Sequence, residues 1–141
     1  GKKLGKAIIQ SFNTNDPYIQ SSSMMNTKKY YNILLADRLE LKYPPFSKII
    51  RILLKGEDLT ILKQSMKKII FLLKKQSFHL LGPTLAPIEK INNFYRLHII
   101  LKTNKPFEFQ DYYWKNNKFK DLFLNLKDIK YHFDVDPLSL L

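Results

Sequence analysis

One change of apolar rhythm organises this sequence. Residues 46–55, FSKIIRILLK, form a strand-like run that stops at Gly56. EDLTILKQSMKKIIFLLKKQ follows, with acids in its first turn and lysines in its last, where the helix dipole favours them. Leu59, Leu62, Met66, Ile69 and Leu73 share one face of that helix, and Lys63, Lys67 and Lys74 line its outer side as a solvated surface. A strand feeding directly into an amphipathic helix sets up a sheet with a helix laid on it. The rest of the chain continues the pattern. FHLLGPTLAPIEKI is extended and proline-broken, and Asn92 and Asn93 favour a turn before the strand FYRLHIILK, so residues 78–102 read as two antiparallel strands. Residues 106–126 read as one helix opened by Pro106, with Phe109, Tyr113, Phe119, Phe123 and Leu126 as core contacts. IKYHFDV alternates strictly, as a half-buried strand does.

The order strand, helix, strand, strand, helix, strand is the split βαβ, ferredoxin-like plan, an α+β fold (βαββαβ) spanning residues 46–141. Both helices cover one face of a four-stranded sheet. Alternation puts Arg51, Arg96, His98, Lys102, Lys130, His132 and Asp134 on the other face, which meets solvent or a partner. Tyr95 and Tyr131 fall on the helix-covered side.

Ahead of this domain, KAIIQSF (6–12) reads as a buried strand with nothing nearby to pair with, and so as the tail of a preceding domain covering residues 1–25. Asp16 before Pro17 starts a short helix running to about Met24. Tyr30, Ile33, Leu34 and Leu41 recur at helical spacing in a linker over residues 26–45. That linker ends at YPPF (43–46), whose prolines forbid further helix and are expected to hold the joint extended.

A net charge of +12, with 21 lysines against 3 arginines, suits a polyanionic partner, since cations clustered on phosphates release counterions. With no cysteine and three scattered histidines, His79, His98 and His132, neither disulfides nor a thiolate metal centre are expected. No apolar run approaches membrane length and the N-terminal stretch given has lysines but no apolar signal-peptide core, so a cytoplasmic protein with no membrane partner is expected. Phosphate-loop, dinucleotide, zinc-protease and serine-hydrolase motifs are all missing. The pair Asp134 and Asp136 shares a strand face, but without further ligands it reads as a strand cap or a lysine partner. Chemistry is therefore not expected of this chain alone. Binding is, through cations that contact a nucleic-acid backbone: Lys90, Arg96, Arg51, Lys102 and Lys130. For the sheet centre, docking onto a neighbouring domain is the better reading, ahead of direct nucleic-acid contact. At the rim and in the loop holding Lys90, nucleic-acid contact is the better reading.

GKAIIQSFNTNDPYIQ, YPPF, GPTLAPIEKINNFYRLHIIL and the terminal DVDP occur in this order, spread over nearly the whole chain. Together they resemble the C-terminal portion of the primosomal replication-restart DNA helicase family, primosomal protein N′. The resemblance implies that Gly5 to Gln10 form the last strand of a helicase lobe, that YPPF marks the crossing from a helical linker, and that the terminal domain is ribosomal S10-like. It implies a parent that unwinds stalled forks 3′ to 5′. The parent's ATP and zinc would be held elsewhere, and no cofactor is implied for this chain. It further implies three partners: branched or single-stranded DNA, the helicase core of the same protein, and the acidic tail of single-stranded-DNA-binding protein. Gln110 matches a residue of the tail pocket, and Lys105 stands in for a basic residue expected where Pro106 lies. Lys90, Tyr95 and Arg96 match a K-x-x-x-x-YR pattern. Two other functions suit the same plan: an RNA-binding ribosomal-type module, and a structural interaction domain without nucleic-acid contact.

Overall fold

The computed structural model describes residues 5–105 and 107–138, and the chain divides into two compact units, Gly1–Leu41 and Lys42–Leu141. No helix among the described residues is long and apolar enough to cross a membrane.

The first unit holds α1 (Pro17–Ser23) and α2 (Thr27–Glu40). Asp16 caps α1 by accepting from the Tyr18 and Ile19 N–H groups at 2.8 and 3.3 Å, and Asn26 caps α2 by accepting from Lys29 N–H at 3.0 Å. The helices are joined by the Tyr18 hydroxyl, which donates to the Asp37 carboxylate, and by edge-on rings of Tyr18 and Tyr30 at 5.6 Å. That carboxylate raises the Tyr18 pKa to about 12. Residues 6–12 form no strand within this chain. Ile8 and Phe12 are exposed, and no ladder among the described residues includes the segment. An apolar run becomes a strand only where another strand offers it hydrogen bonds.

The second unit is an α+β domain built on a four-stranded antiparallel sheet. Its strands are β1 (Lys48–Gly56), β2 (His79–Ile91), β3 (Phe94–Thr103) and β4 (Lys130–Val135), in the spatial order β2-β3-β1-β4. Asn92 and Asn93, both at positive φ, make the two-residue β2–β3 turn. On one face α3 (Leu59–Leu73) seals Leu62, Met66, Ile69 and Leu73 against Ile52, Leu54, Leu97 and Ile99. The Asp58 carboxylate caps α3 by accepting from Thr60 and Ile61 N–H.

Two local expectations are corrected. Residues 106–126 do not form one helix. They form α4 (Glu108–Lys115) and α5 (Asn117–Leu124), broken at Asn116, whose extended backbone lets its side chain accept from Phe119 N–H at 3.0 Å. In one straight helix Phe119 would sit roughly 80° round the axis from Phe109. The break turns both inward, where they join Phe78, Tyr112, Tyr113, Phe123 and Phe133 in an edge-to-face aromatic cluster. The expected opening at Pro106 lies outside the described residues. The YPPF joint is not extended either. A cis Pro44–Pro45 bond and a Phe46 N–H to Tyr43 carbonyl hydrogen bond of 2.9 Å make it a tight turn.

Candidate nucleic-acid interface

Register places the polar residues of the sheet face opposite the helices in successive rows. Nearest Gly56, Lys55 of β1 stands directly opposite Arg96 of β3 and directly opposite Lys130 of β4. Next come His98, Leu53 and His132, then Ile100, Arg51 and Asp134, with Lys102 opposite Ile49 beyond. The first row carries three cations and no carboxylate. Phe94, two residues before Arg96 and so on the same side, has the Lys130 Nζ 5.3 Å from its ring centroid. A groove of ≈ 780 Å³ opens at this end, lined by Ile61, Phe94, Lys127 and Lys130, and also by Glu57 and Asp128.

Toward the other end the charges are neutralised within the sheet. The Arg51 guanidinium donates through Nε at 2.9 Å, and also through Nη2, to the Asp134 carboxylate, which His132 Nε2 meets at 2.8 Å. Burial pushes the Asp134 carboxyl up, but hydrogen bonds and charge from Arg51, assisted by His132, outweigh it and leave the pKa below the ordinary carboxylate value. Asp136 behaves alike: burial raises its pKa, yet the Ile49 N–H at 2.9 Å and the Lys48 ammonium at 2.5 Å hold it down. The carboxylate pair is thus spent on tying β4 to β1. His98, only 4% exposed, is held mainly neutral by burial and then by the charges of Arg51 and Arg96, and its Nδ1 has no hydrogen-bond partner.

The residues expected to contact nucleic acid do not form one surface. Arg51, Arg96 and Lys102 are buried, at 8%, 7% and 9% exposure. Arg96 Nη1 donates to the Ile88 carbonyl at 3.2 Å, and the Lys102 Nζ lies 3.8 Å from the ring centroid of Tyr43, the first residue of YPPF. Lys130 and Lys90 are exposed. Lys90, however, stands opposite Tyr95, with its Nζ 4.7 Å from that ring, and so belongs to the helix-covered side at the hairpin end. Lys55 and Phe94 were missed. Counting by twos from Arg51 and from Arg96 reaches both, so strand alternation was the signal that locates them.

Lys105 and Gln110 are brought together around a separate cavity of ≈ 120 Å³, with Lys48, Glu108 and Val135 in its lining. Glu108 accepts from the Thr103 and Ser77 hydroxyls. Burial raises its pKa, but those hydrogen bonds, with Lys105 nearby, bring it below the ordinary value. Among the described residues no group of three His, Asp or Glu side chains is placed to hold a metal ion.

Comparison with known proteins matches residues 39–138 to the family described as Primosomal protein N C-terminal domain. Replication restart protein PriA of Thermotoga maritima is 33% identical over 99 residues, covering 70% of this chain and 13% of that protein. Its counterpart in Borreliella burgdorferi is 35% identical over 97 residues, 66% of this chain and 14% of that protein. The one in Rickettsia conorii is 24% identical across 99% of this chain and 21% of its own length. The chain therefore spans only a small part, about a fifth or less, of these relatives. With the family match extending over well more than half of its residues, the chain belongs to the primosomal protein N C-terminal domain family.

Proposed function

We propose that this chain is the DNA-binding and partner-docking C-terminal module of an ATP-dependent 3′ to 5′ helicase that restarts stalled replication forks. The observation that carries the reading is the Arg96–Lys55–Lys130 row. Like charges directly opposite on neighbouring strands destabilise a sheet, and a phosphate backbone laid across the row offsets that repulsion while releasing counterions. Phe94 supplies a ring beside it on which a base can stack. Lys55 and Lys130 make the phosphate contacts, and Lys90, on the helix-covered side, adds one only where the strand wraps round the hairpin end. Arg96 sets the row's position, while Arg51 and Lys102, held by Asp134 and Tyr43, brace the platform beneath.

The test is fluorescence anisotropy with forked and single-stranded DNA across a salt series. About four single-strand phosphate contacts give a slope of log affinity against log salt near −3, and Lys55→Gln with Lys130→Gln lowers its magnitude by about 1.4. A salt-independent affinity, or one unmoved by those substitutions, refutes the reading. A binding mode that requires the 2′-hydroxyl and shows no preference for forks supports the RNA-binding alternative instead.

The cavity holding Lys105 and Gln110 favours a second, compatible role, docking of the acidic tail of single-stranded-DNA-binding protein. Gln110→Ala and Lys105→Ala then weaken capture of that tail and leave DNA affinity unchanged. The remaining partner is the helicase core of the same protein.

A further inference from the structure

We propose that the outer face of α3 is a second nucleic-acid surface, on the opposite side of the sheet from the Lys55 row, and that it takes a single strand by stacking a base on Phe71 between four lysines. Phe71 is 63% exposed although the helix has an inner face that is apolar apart from Ser65. It points directly away from Leu62, Met66, Ile69 and Leu73, the residues that seal the core. Its neighbours at i−4 and i−3 on the helix surface are Lys67 and Lys68, and Lys74, the C-cap, and Lys75 follow at the helix end, all four exposed. Lys63 extends the same face by one turn.

Along α3 itself no acid compensates these lysines. No Asp or Glu occurs between Leu59 and Ser77, and no ion pair among the described residues joins any of these five lysines. Lys63 and Lys67 repel one another at i, i+4. Lysines at a helix C-terminus complement its dipole, which accounts for Lys74 at the C-cap and Lys75 just beyond it. It does not account for Lys63, Lys67 and Lys68 or for an outward phenylalanine. The Lys75 Nζ already lies 4.7 Å from the Phe71 ring centroid, so the ring is presented as a flat face within a cationic frame. Cations that track a backbone around an exposed aromatic are what a strand of nucleic acid requires, because every base has a face to stack. An acidic peptide would use the lysines and leave the ring without a role. A lipid surface would need more than one apolar side chain on this face.

This inference rests on the reading of the chain as a nucleic-acid-binding module and adds a site distinct from the Lys55 row. With surfaces on both sides of one sheet, the domain holds two strands at once, as a branched substrate presents them.

The experiment titrates the chain with fluorescein-labelled dT12 over a salt series, alongside three variants: Lys67→Gln/Lys68→Gln/Lys74→Gln/Lys75→Gln, Phe71→Ala, and Lys55→Gln/Lys130→Gln. Lys and Gln have similar helix propensity, so circular dichroism and melting temperature should match the parent. The expected result is two dT12 sites per chain. The quadruple variant loses one site, the one whose own slope of log affinity against log salt is about −2.8 for four lysine contacts. Phe71→Ala weakens that site about tenfold with the slope unchanged. Donor- and acceptor-labelled dT12 transfer energy when mixed with the parent and cease to do so with either lysine variant. One site per chain, indifferent to the quadruple substitution, overturns the inference and leaves the Lys55 row standing. Binding abolished by the quadruple variant and untouched by Lys55→Gln/Lys130→Gln upholds α3 and refutes the row. No dT12 binding at all refutes both, and tighter binding of a poly-glutamate peptide than of dT12 overturns the choice of ligand.

Discussion

Replacing Asp134 with alanine tests what holds β4 to the sheet. The substitution leaves the Arg51 guanidinium, whose side chain is 10% exposed, without its carboxylate, and leaves His132 without its acceptor. Breaking a buried ion pair costs about 3–5 kcal/mol. Asp134 is 23% exposed, so water and the other contacts of Arg51 recover part of that, and a loss of about 2–3 kcal/mol is expected. For a unit of this size that lowers the melting temperature by about 10–20 °C. Urea unfolding of the parent, Asp134→Ala, Arg51→Met and the double variant closes a cycle whose coupling energy should be about 1–2 kcal/mol. The pH dependence supplies an independent check. The Asp134 and Asp136 pKa values are depressed in the folded state, so their stabilisation is complete above the ordinary carboxylate value and is lost as pH falls through the folded value. Stability of the parent therefore drops in acid below about pH 4, and Asp134→Ala flattens that drop. An unchanged urea midpoint for Asp134→Ala, or identical acid limbs in the two proteins, refutes the reasoning.

His98 titrates in another window. Its folded pKa is depressed, so the parent loses stability as pH falls below about 6.5, and His98→Leu, melted across pH 5–8, should remove that slope. Phe119→Ala opens a cavity at the centre of the aromatic cluster and should cost about 3–5 kcal/mol in urea unfolding. Asn116→Ala removes the cap between α4 and α5 and should cost about 1 kcal/mol, with hydrogen exchange quickening first at the Phe119 amide. Gly82→Ala places a Cβ 3.1 Å from the Thr84 nitrogen at a φ of +98°, so it should destabilise the unit by about 1–2 kcal/mol in thermal melts.

Where the fold was legible, one pattern dominated. β1, β3, β4 and α3 announce themselves because one apolar rhythm runs through each, whereas β2 is broken by prolines and bulges, and Asn92–Asn93 names its turn because few residues tolerate positive φ twice in succession. The break at Asn116 was hidden because apolar spacing continues plausibly across it, and a cap residue competes with that spacing only once the aromatic cluster rewards the bend. Residues 6–12 have strand composition without a strand's partner, and composition alone makes no ladder. For the site, alternation correctly gave the face of Arg51, Arg96 and Lys102. It carried no information on coverage, because what engages them is a Tyr43 ring from a turn, an Ile88 carbonyl from a bulged strand and an aspartate from β4. A side chain's face is a local property of the backbone, whereas its exposure depends on residues far away in sequence.

That distinction also decides where a net charge of +12 acts. Beside Arg51 and Lys48 the sheet supplies Asp134 and Asp136, so cations there serve cohesion. Lys102 is matched by an aromatic ring. At Lys55 and Lys130, and along the outer face of α3, no ion pair among the described residues offsets the charge, and an aromatic ring stands beside each group. If the excess lysine reflected composition alone, acids and rings would be distributed without regard to it. Instead carboxylates pair with buried Arg51 and with Lys48, while Lys55, Lys130 and the lysines flanking Phe71 have no ion pair among the described residues even though Glu57 and Asp128 line the groove beside Phe94, and unpaired cations beside a ring are what the proposed polyanion contact requires.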